Sequence, residues 1–227
     1  MSDTGTSSTD NITNATNLEF QVSGGIPNGT VEVVTRRNGG DECYVADGSG
    51  VALLCLPDNA ANGNHNFAAR NSISGAAGSN SLRTLVVTID RTAPTVTINQ
   101  AGGQADPTHL LPINFTVVFS EAVNGFSNSG ISLTGSTADV SAASINVTGS
   151  GTTYNVAVSN LLGSGLLQAA VIQNAAQDTA GNGSAASTSS DNTVLFDNIQ
   201  PSVTIEQASR TNRSDQHAAD HFYRRLQ

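Results

Sequence analysis

The sequence predicts an all-β protein: tandem β-sandwiches of about seven strands each, followed by a tail that does not belong to the same pattern. Three observations predict it. The stretch Asp90-Arg-Thr-Ala-Pro-Thr-Val-Thr-Ile-Asn-Gln-Ala returns 107 residues later as Asp197-Asn-Ile-Gln-Pro-Ser-Val-Thr-Ile-Glu-Gln-Ala. A period of one whole domain marks modules strung in series rather than a solenoid. Ser, Thr, Asn, Gly and Ala dominate, with no Trp and ten Phe and Tyr together, a composition that suits short strands and turns. Short alternating segments recur every 8 to 20 residues, and no convincing amphipathic helix interrupts them.

The first unit is expected over residues 1–89. Leu18-Glu-Phe-Gln-Val22, Thr30-Val-Glu-Val-Val34 and Leu82-Arg-Thr-Leu-Val-Val-Thr-Ile89 read as strands, separated by turns such as Gly24-Gly25 and Pro27-Asn28-Gly29. Cys43 and Cys55 flank a stretch that reads as a hairpin turning at Asp47-Gly48-Ser49-Gly50. A three-residue loop would set the two cysteines opposite each other and make a cross-strand disulfide feasible. A two-residue turn slips the register by one and sends them to opposite faces, as two small buried thiols. Asn71 to Asn80 is read as the late loop of this unit.

The second unit is expected over residues 90–197. Its strands are Thr95 to Asn99, Ile113 to Phe119, Ile131 to Thr134, Ser144 to Thr148, Tyr154 to Ser159, Leu166 to Ile172 and Thr193 to Phe196. The Ala-rich stretch Gln168 to Gln177 reads as a strand running into a loop, since Asp178-Thr-Ala-Gly-Asn182 follows at once. Residues 198–227 begin a third, truncated repeat. After Ser209 the composition shifts abruptly: the last 18 residues hold four of the nine Arg and two of the four His. Reverse-translated and read one base later, they permit a string matching Gly103 to Ser120 at 13 of 18 positions. A change of reading frame near residue 210 accounts for that shift.

Four motifs in order carry a family resemblance: Ala93-Pro-Thr-Val-Thr-Ile98, Phe119-Ser-Glu-Ala-Val123, Ile131-Ser-Leu-Thr-Gly135 and Asp178-Thr-Ala-Gly-Asn182. With the repeat, they resemble the bacterial immunoglobulin-like (Ig-like) repeats of large surface adhesins and biofilm proteins. The resemblance covers residues 90 to 197 well. It covers the first unit more loosely, through Ser8-Thr-Asp-Asn-Ile-Thr13 and Leu85-Val-Val-Thr-Ile-Asp90. It implies Ig-like sandwiches forming an extracellular stalk on a bacterial cell surface, often rigidified by calcium at the joints.

Charge narrows the partners. There is no Lys, and 18 acidic side chains leave a net charge of -9, which argues against nucleic acid and anionic membrane. No apolar run approaches 18 residues. The expected partners are neighbouring Ig-like repeats and, at a loop-bearing end, a host or matrix glycan or protein; an accessory role beside a secreted hydrolase is the further alternative. No nucleophile elbow, phosphate loop or Cys-x-x-Cys pair is present, so no catalysis is expected. His65 and His109 read as solvated, and His217 with His221 falls in the suspect tail. Phe126 and Tyr154 read as core, with a sugar-binding face as the weaker alternative.

One constellation remains. In such a sandwich the start of a domain, the loop after its second strand and the loop before its last strand share one end. Asp90, Glu121 and the pair Asp178 and Asn182 occupy those three places, with Gly181 letting the late loop turn back. Three carboxylates and an amide oxygen suit calcium. The competing reading makes each acid a cap for its own loop amides. Asp3 or Asp10 before the first unit, and Asp197 at a third joint, are weaker candidates because their partners are missing.

Overall fold

A computed structural model describes residues 4, 7–21, 30–37, 40–45, 51–55, 61–73, 76–80 and 84–206. Among them there is no α-helix, and fifteen strands carry the fold. In the first unit these are β1 (Ile12–Thr13), β2 (Asn17–Gln21), β3 (Thr30–Arg37), β4 (Gly40–Val45), β5 (Val51–Cys55), β6 (Gly63–Ile73), β7 (Ala76–Asn80) and β8 (Leu85–Ile89). One sheet runs β1-β8-β6-β3-β4 with β7 also on β6, and the other pairs β2 with β5. Alternation puts Leu18 and Phe20 of β2, Val33 of β3, Phe67 of β6 and Val87 and Ile89 of β8 inside one apolar cluster between the sheets. The Phe20 and Phe67 rings meet across it with centroids 4.7 Å apart.

Two readings of this unit are corrected. The described residues of Asn71 to Asn80, read as the late loop, are β7 and the end of β6, the strand flanked by β3 and β8. Its Asn and Gly content hides a single inward aromatic, Phe67, and pairing on both sides supplies the order that propensity does not. The cysteine stretch is not a hairpin. β4 pairs with β3, setting Cys43 opposite Val34, while β5 pairs with β2, setting Cys55 opposite Asn17. Cys43 and Cys55 therefore sit in different sheets, and the cross-strand register that would face them does not exist. Their side chains, and the turn Asp47 to Gly50, lie outside the described residues.

The second unit comprises β9 (Val96–Gln100), β10 (Ile113–Val123), β11 (Ile131–Ser132), β12 (Ser144–Ser159), β13 (Gly165–Gln168), β14 (Ala170–Val171) and β15 (Thr193–Phe196). β9, β10 and β12 form one antiparallel sheet; opposite it lie the pairs β13 with β15 and β11 with β14. Inward residues from both layers, among them Val96, Ile98, Ile113, Phe115, Val117, Val156, Val158, Leu167 and Val194, make a single core. Phe119, Phe126 and Tyr154 close one end of it edge to face, with centroids 5.0–5.9 Å apart, and the Tyr154 hydroxyl donates to Val123 O at 3.1 Å. The two aromatics weighed for a sugar face are core.

β12 is one strand where two were expected. Gly149 at φ +125° and Gly151 at φ +69° carry the chain through the break, and a Cβ at Gly149 would stand 2.8 Å from Tyr154 Cα. Conversely, the expected strand Leu166 to Ile172 splits into β13 and β14, which pair with different partners. Gln168 to Gln177 is strand and loop, as read.

The two units share a topology that sequence comparison at the joints only begins to reveal. In each, a short segment runs parallel to the last strand: Thr13 beside Ile89, and Thr108 beside Phe196. Thr13 O then accepts from the Asp90 amide at 2.9 Å, and Thr108 O from the Asp197 amide at 2.8 Å. Both threonines are buried, and their hydroxyls accept the amide two residues on, from Ala15 and Leu110. Residues 210–227, and with them the frame-shift reading, lie outside the described residues. Phe115 is fully enclosed in the second core only. Phe115→Ala is expected to destabilise that unit by about 3–5 kcal/mol while leaving the first unit's transition in place, measured by urea unfolding with probes in each unit.

Candidate metal centre at the joint

Asp90 is placed by β8. Its amide ends the parallel ladder on Thr13, so its side chain emerges where the first unit stops. Oδ1 accepts from the Thr92 amide at 3.0 Å and from Asn62 Nδ2 at 3.1 Å, folding the chain over toward buried Pro94. Glu121 is placed by β10, whose pairing with β12 loses register between Val118 and Val123. That irregularity frees the strand's last turn to bend toward the joint. Asp178 is placed by the late loop, which Asn124 and Gln177 anchor to the end of β10 through paired amide bonds of 2.7 and 3.0 Å.

The late loop folds back on Asp178. Gly181 takes φ +91°, the Asp178 amide reaches Asn182 O at 3.1 Å, and Asp178 Oδ1 accepts from the Asn182 amide at 2.9 Å. Any residue with a Cβ would be strained at Gly181. The outcome is that carboxylate oxygens of Asp90, Glu121 and Asp178 all lie within 4.8 Å of one another, with Asp178 only 1 % exposed. Residues 31 and 57 positions apart in the chain are gathered by three different elements. Two oxygens each about 2.4 Å from one ion stand up to ~4.8 Å apart, so the three are near enough to one another to be candidates for sharing a single hard cation.

Asn182 is present but turned the other way. Its Nδ2 donates to Asp178 Oδ2 at 2.8 Å and to Asp90 O at 2.9 Å, and its Oδ1 accepts from Asn14 Nδ2 at 3.2 Å. Here the amide holds the site's frame together, and lending its oxygen to a cation would require it to rotate away from Asn14. Sequence reasoning missed Asn14, Asn62 and Thr4. Thr4 Oγ1 donates to Ala180 O at 3.0 Å, so the first unit grips the late loop of the second by an uncharged contact as well, and the Arg91 guanidinium donates through Nη2 to Ala15 O at 2.8 Å. Only the Asn-Gly dipeptide at Asn62 marked any of these positions as a turn.

The capping alternative describes two of the three acids: Asp90 caps Thr92 and Asp178 caps Asn182. It does not describe Glu121, which accepts no hydrogen bond among the described residues. Partial burial, then the charges of Asp178 and Asp90, push the Glu121 carboxyl above the ordinary glutamate range. Asp10 caps the Ile12 amide at 3.1 Å, and Asp197 caps Ile199 at 3.0 Å; neither joins a second acidic group among the described residues. His65 lies on β6 with Nε2 3.0 Å from Ala61 O, and His109 is exposed.

Residues 1–91 match the family described as bacterial Ig-like domain. The match falls on the first unit, whereas most of the motifs that suggested the family lie in the second. No curated protein matches the chain.

A carboxyl whose pKa is raised on folding is protonated in both states at low pH, where it costs nothing. As pH climbs from the unfolded glutamate value, near 4.3, through the raised folded one, the native state must hold a charge that the unfolded chain holds more easily. In chelator, the second unit is therefore expected to lose stability across that window and to stay lower above it. Glu121→Gln should flatten the step, as read by thermal unfolding at a series of pH values.

Proposed function

With residues 1–91 belonging to the bacterial Ig-like domain family, we propose that the chain is a non-catalytic spacer of a bacterial surface or secreted adhesin. Its joint is stiffened by calcium held by Asp90, Glu121 and Asp178. The observation that carries this reading is Glu121: a carboxylate without a hydrogen bond among the described residues, turned toward two others. Loop closure explains the position of the aspartates and leaves the glutamate partly desolvated beside two like charges. A divalent cation converts that repulsion into attraction among three elements from both sides of the joint.

The ligands are hard oxygens and no thiol or imidazole is among them, which favours calcium over zinc or copper. Backbone carbonyls and water would complete the shell of six to eight oxygens. Supplying charge to a hinge is all the ion does here. The protein's part is to hold Asp178 and Asp90 rigidly through their caps and through Asn182. A cation then adds stiffness to a joint between two sandwiches that each add on the order of 40 Å of reach.

Small-angle scattering of the whole chain should show a longer, narrower distance distribution in calcium than in chelator. Identical curves would remove the calcium part of the proposal. Asp178→Ala should cut the calcium-dependent rise in melting temperature of the second unit, because a ligand stabilises only the state that binds it. Asp106→Ala, at a capping carboxylate remote from the joint, should leave that rise intact.

A further inference from the structure

We propose that the second unit carries a shear clamp against tension along the chain, formed by β9 and the serine-rich strap of residues 185–191 beside it. The strap reads Ala185-Ala-Ser-Thr-Ser-Ser-Asp191 and brings no large apolar side chain. Burial therefore contributes little to its attachment. Hydrogen bonds hold it instead. Pro94 O accepts from the Ala185 amide at 2.9 Å, Val96 O from the Thr188 amide at 3.1 Å, and Asp191 O from the Gln100 amide at 2.7 Å. Ser189 Oγ accepts from the Ile98 amide at 2.9 Å. From the second contact to the third, β9 advances two residues and the strap only one. The Ser189 hydroxyl thus accepts the bond that a carbonyl accepts in a regular ladder.

The order of these contacts fixes a direction. Positions 94, 96, 98 and 100 meet 185, 188, 189 and 191, so the two segments run parallel. The chain enters β9 from the joint, through Asp90 to Pro94, and leaves the strap through β15 at Asp197. Load applied at those two places draws the segments in opposite senses along their length. Every bond between them lies across that displacement, and the bonds share the load. An antiparallel pair of such segments would present both loaded ends on one side and open one bond at a time.

The strap is also tied to the opposite layer. Ser187 donates its amide to Val171 O and accepts the Val171 amide on Oγ, both at 2.9 Å. Asn192 Nδ2 donates to Ala169 O at 2.8 Å, and Asn192 O accepts the Ala169 amide at 3.0 Å. The strap cannot follow β9 without tearing from β14. At the exit, the Thr108 amide donates to Leu195 O at 2.9 Å, and Thr108 O accepts the Asp197 amide at 2.8 Å. The first unit repeats the device in small, with β1 parallel to β8 through Asn11 O and Thr13 O.

The clamp rests on the spacer reading only in taking the two ends of the unit as the points of load. The whole chain, held by its two ends and pulled in chelator, tests it, so that the clamp and calcium stiffening fail separately. Two single-bond deletions within the second unit are compared. Ser189→Ala removes a bond across the clamp, whereas Tyr154→Phe removes the bond to Val123 O away from it. Unfolding under force is governed by the unfolding rate. At constant tension Ser189→Ala should unfold the second unit about fivefold faster, as expected for one hydrogen bond lost. Tyr154→Phe should unfold at the wild-type rate, even where urea shows it less stable. A second measurement deletes no bond and changes only the direction of pull. With Cys43→Ser and Cys55→Ser as background, handles on Ala93→Cys and Ala186→Cys, both exposed and at the joint end, load the clamp bond by bond. The unit should yield there at a lower force than when pulled by its ends. Equal acceleration in the two deletion variants, an unchanged rate in Ser189→Ala, or a yield force independent of direction would each overturn the proposal.

Discussion

Asp90 is the residue on which the arrangement of the two sandwiches turns, because each of its polar groups serves a different body. Its amide closes the first unit on Thr13, its carboxylate caps the connection through Thr92, and its carbonyl accepts the Asn182 amide of the second unit's late loop. A five-residue connection to Pro94, itself fixed in φ, would allow some swing if only the chain linked the two units. Tying the backbone of Asp90 to the late loop removes most of that freedom. It also brings the Asp90 charge up to Asp178 and Glu121, so rigidity and repulsion arise from the same geometry.

That repulsion sets the chemistry. The two aspartates recover part of its cost through charge-assisted hydrogen bonds to amides, which are stronger than neutral ones. Glu121 recovers nothing of the kind among the described residues, and partial burial first, then the charges of Asp178 and Asp90, hold its carboxyl above the ordinary glutamate range. The neutral hydrogen bonds of Thr4 to Ala180 O and of Asn14 to the Asn182 side chain, with the Arg91 guanidinium on Ala15 O, mean that the joint does not depend on a cation to exist. A cation at this place would adjust stiffness, not create the contact.

Much of the fold was legible because sandwich strands with one wet face alternate. β2, β8, β9, β10 and β15 were expected at nearly their observed positions, and the three acids were gathered correctly from topology alone. The failures share a physical reason. β6 carries one large inward residue, Phe67, among Asn, Ala and Gly, so its order comes from neighbours on both sides and leaves little periodic trace. Cys43 and Cys55 looked like hairpin partners because a Gly-rich turn lies between them, but a turn specifies direction and not whether the chain stays in its sheet. For Asn182, sequence could offer an oxygen; the presence of Asn14 as donor decided which end of the amide faces the acids.

The pair of proline-led repeats separates what each level contributes. Sequence by itself determined the module, its all-β character, its period and the alternation Val-Thr-Ile that suits a strand with one buried face. Only tertiary structure decided that Val96 and Ile98 use that face while Val203 and Ile205 leave it in water. The reason is that a β-strand satisfies its backbone and its apolar side chains through partners distant in the chain. β10 provides them for the first copy of the motif, and nothing among the described residues provides them for the second.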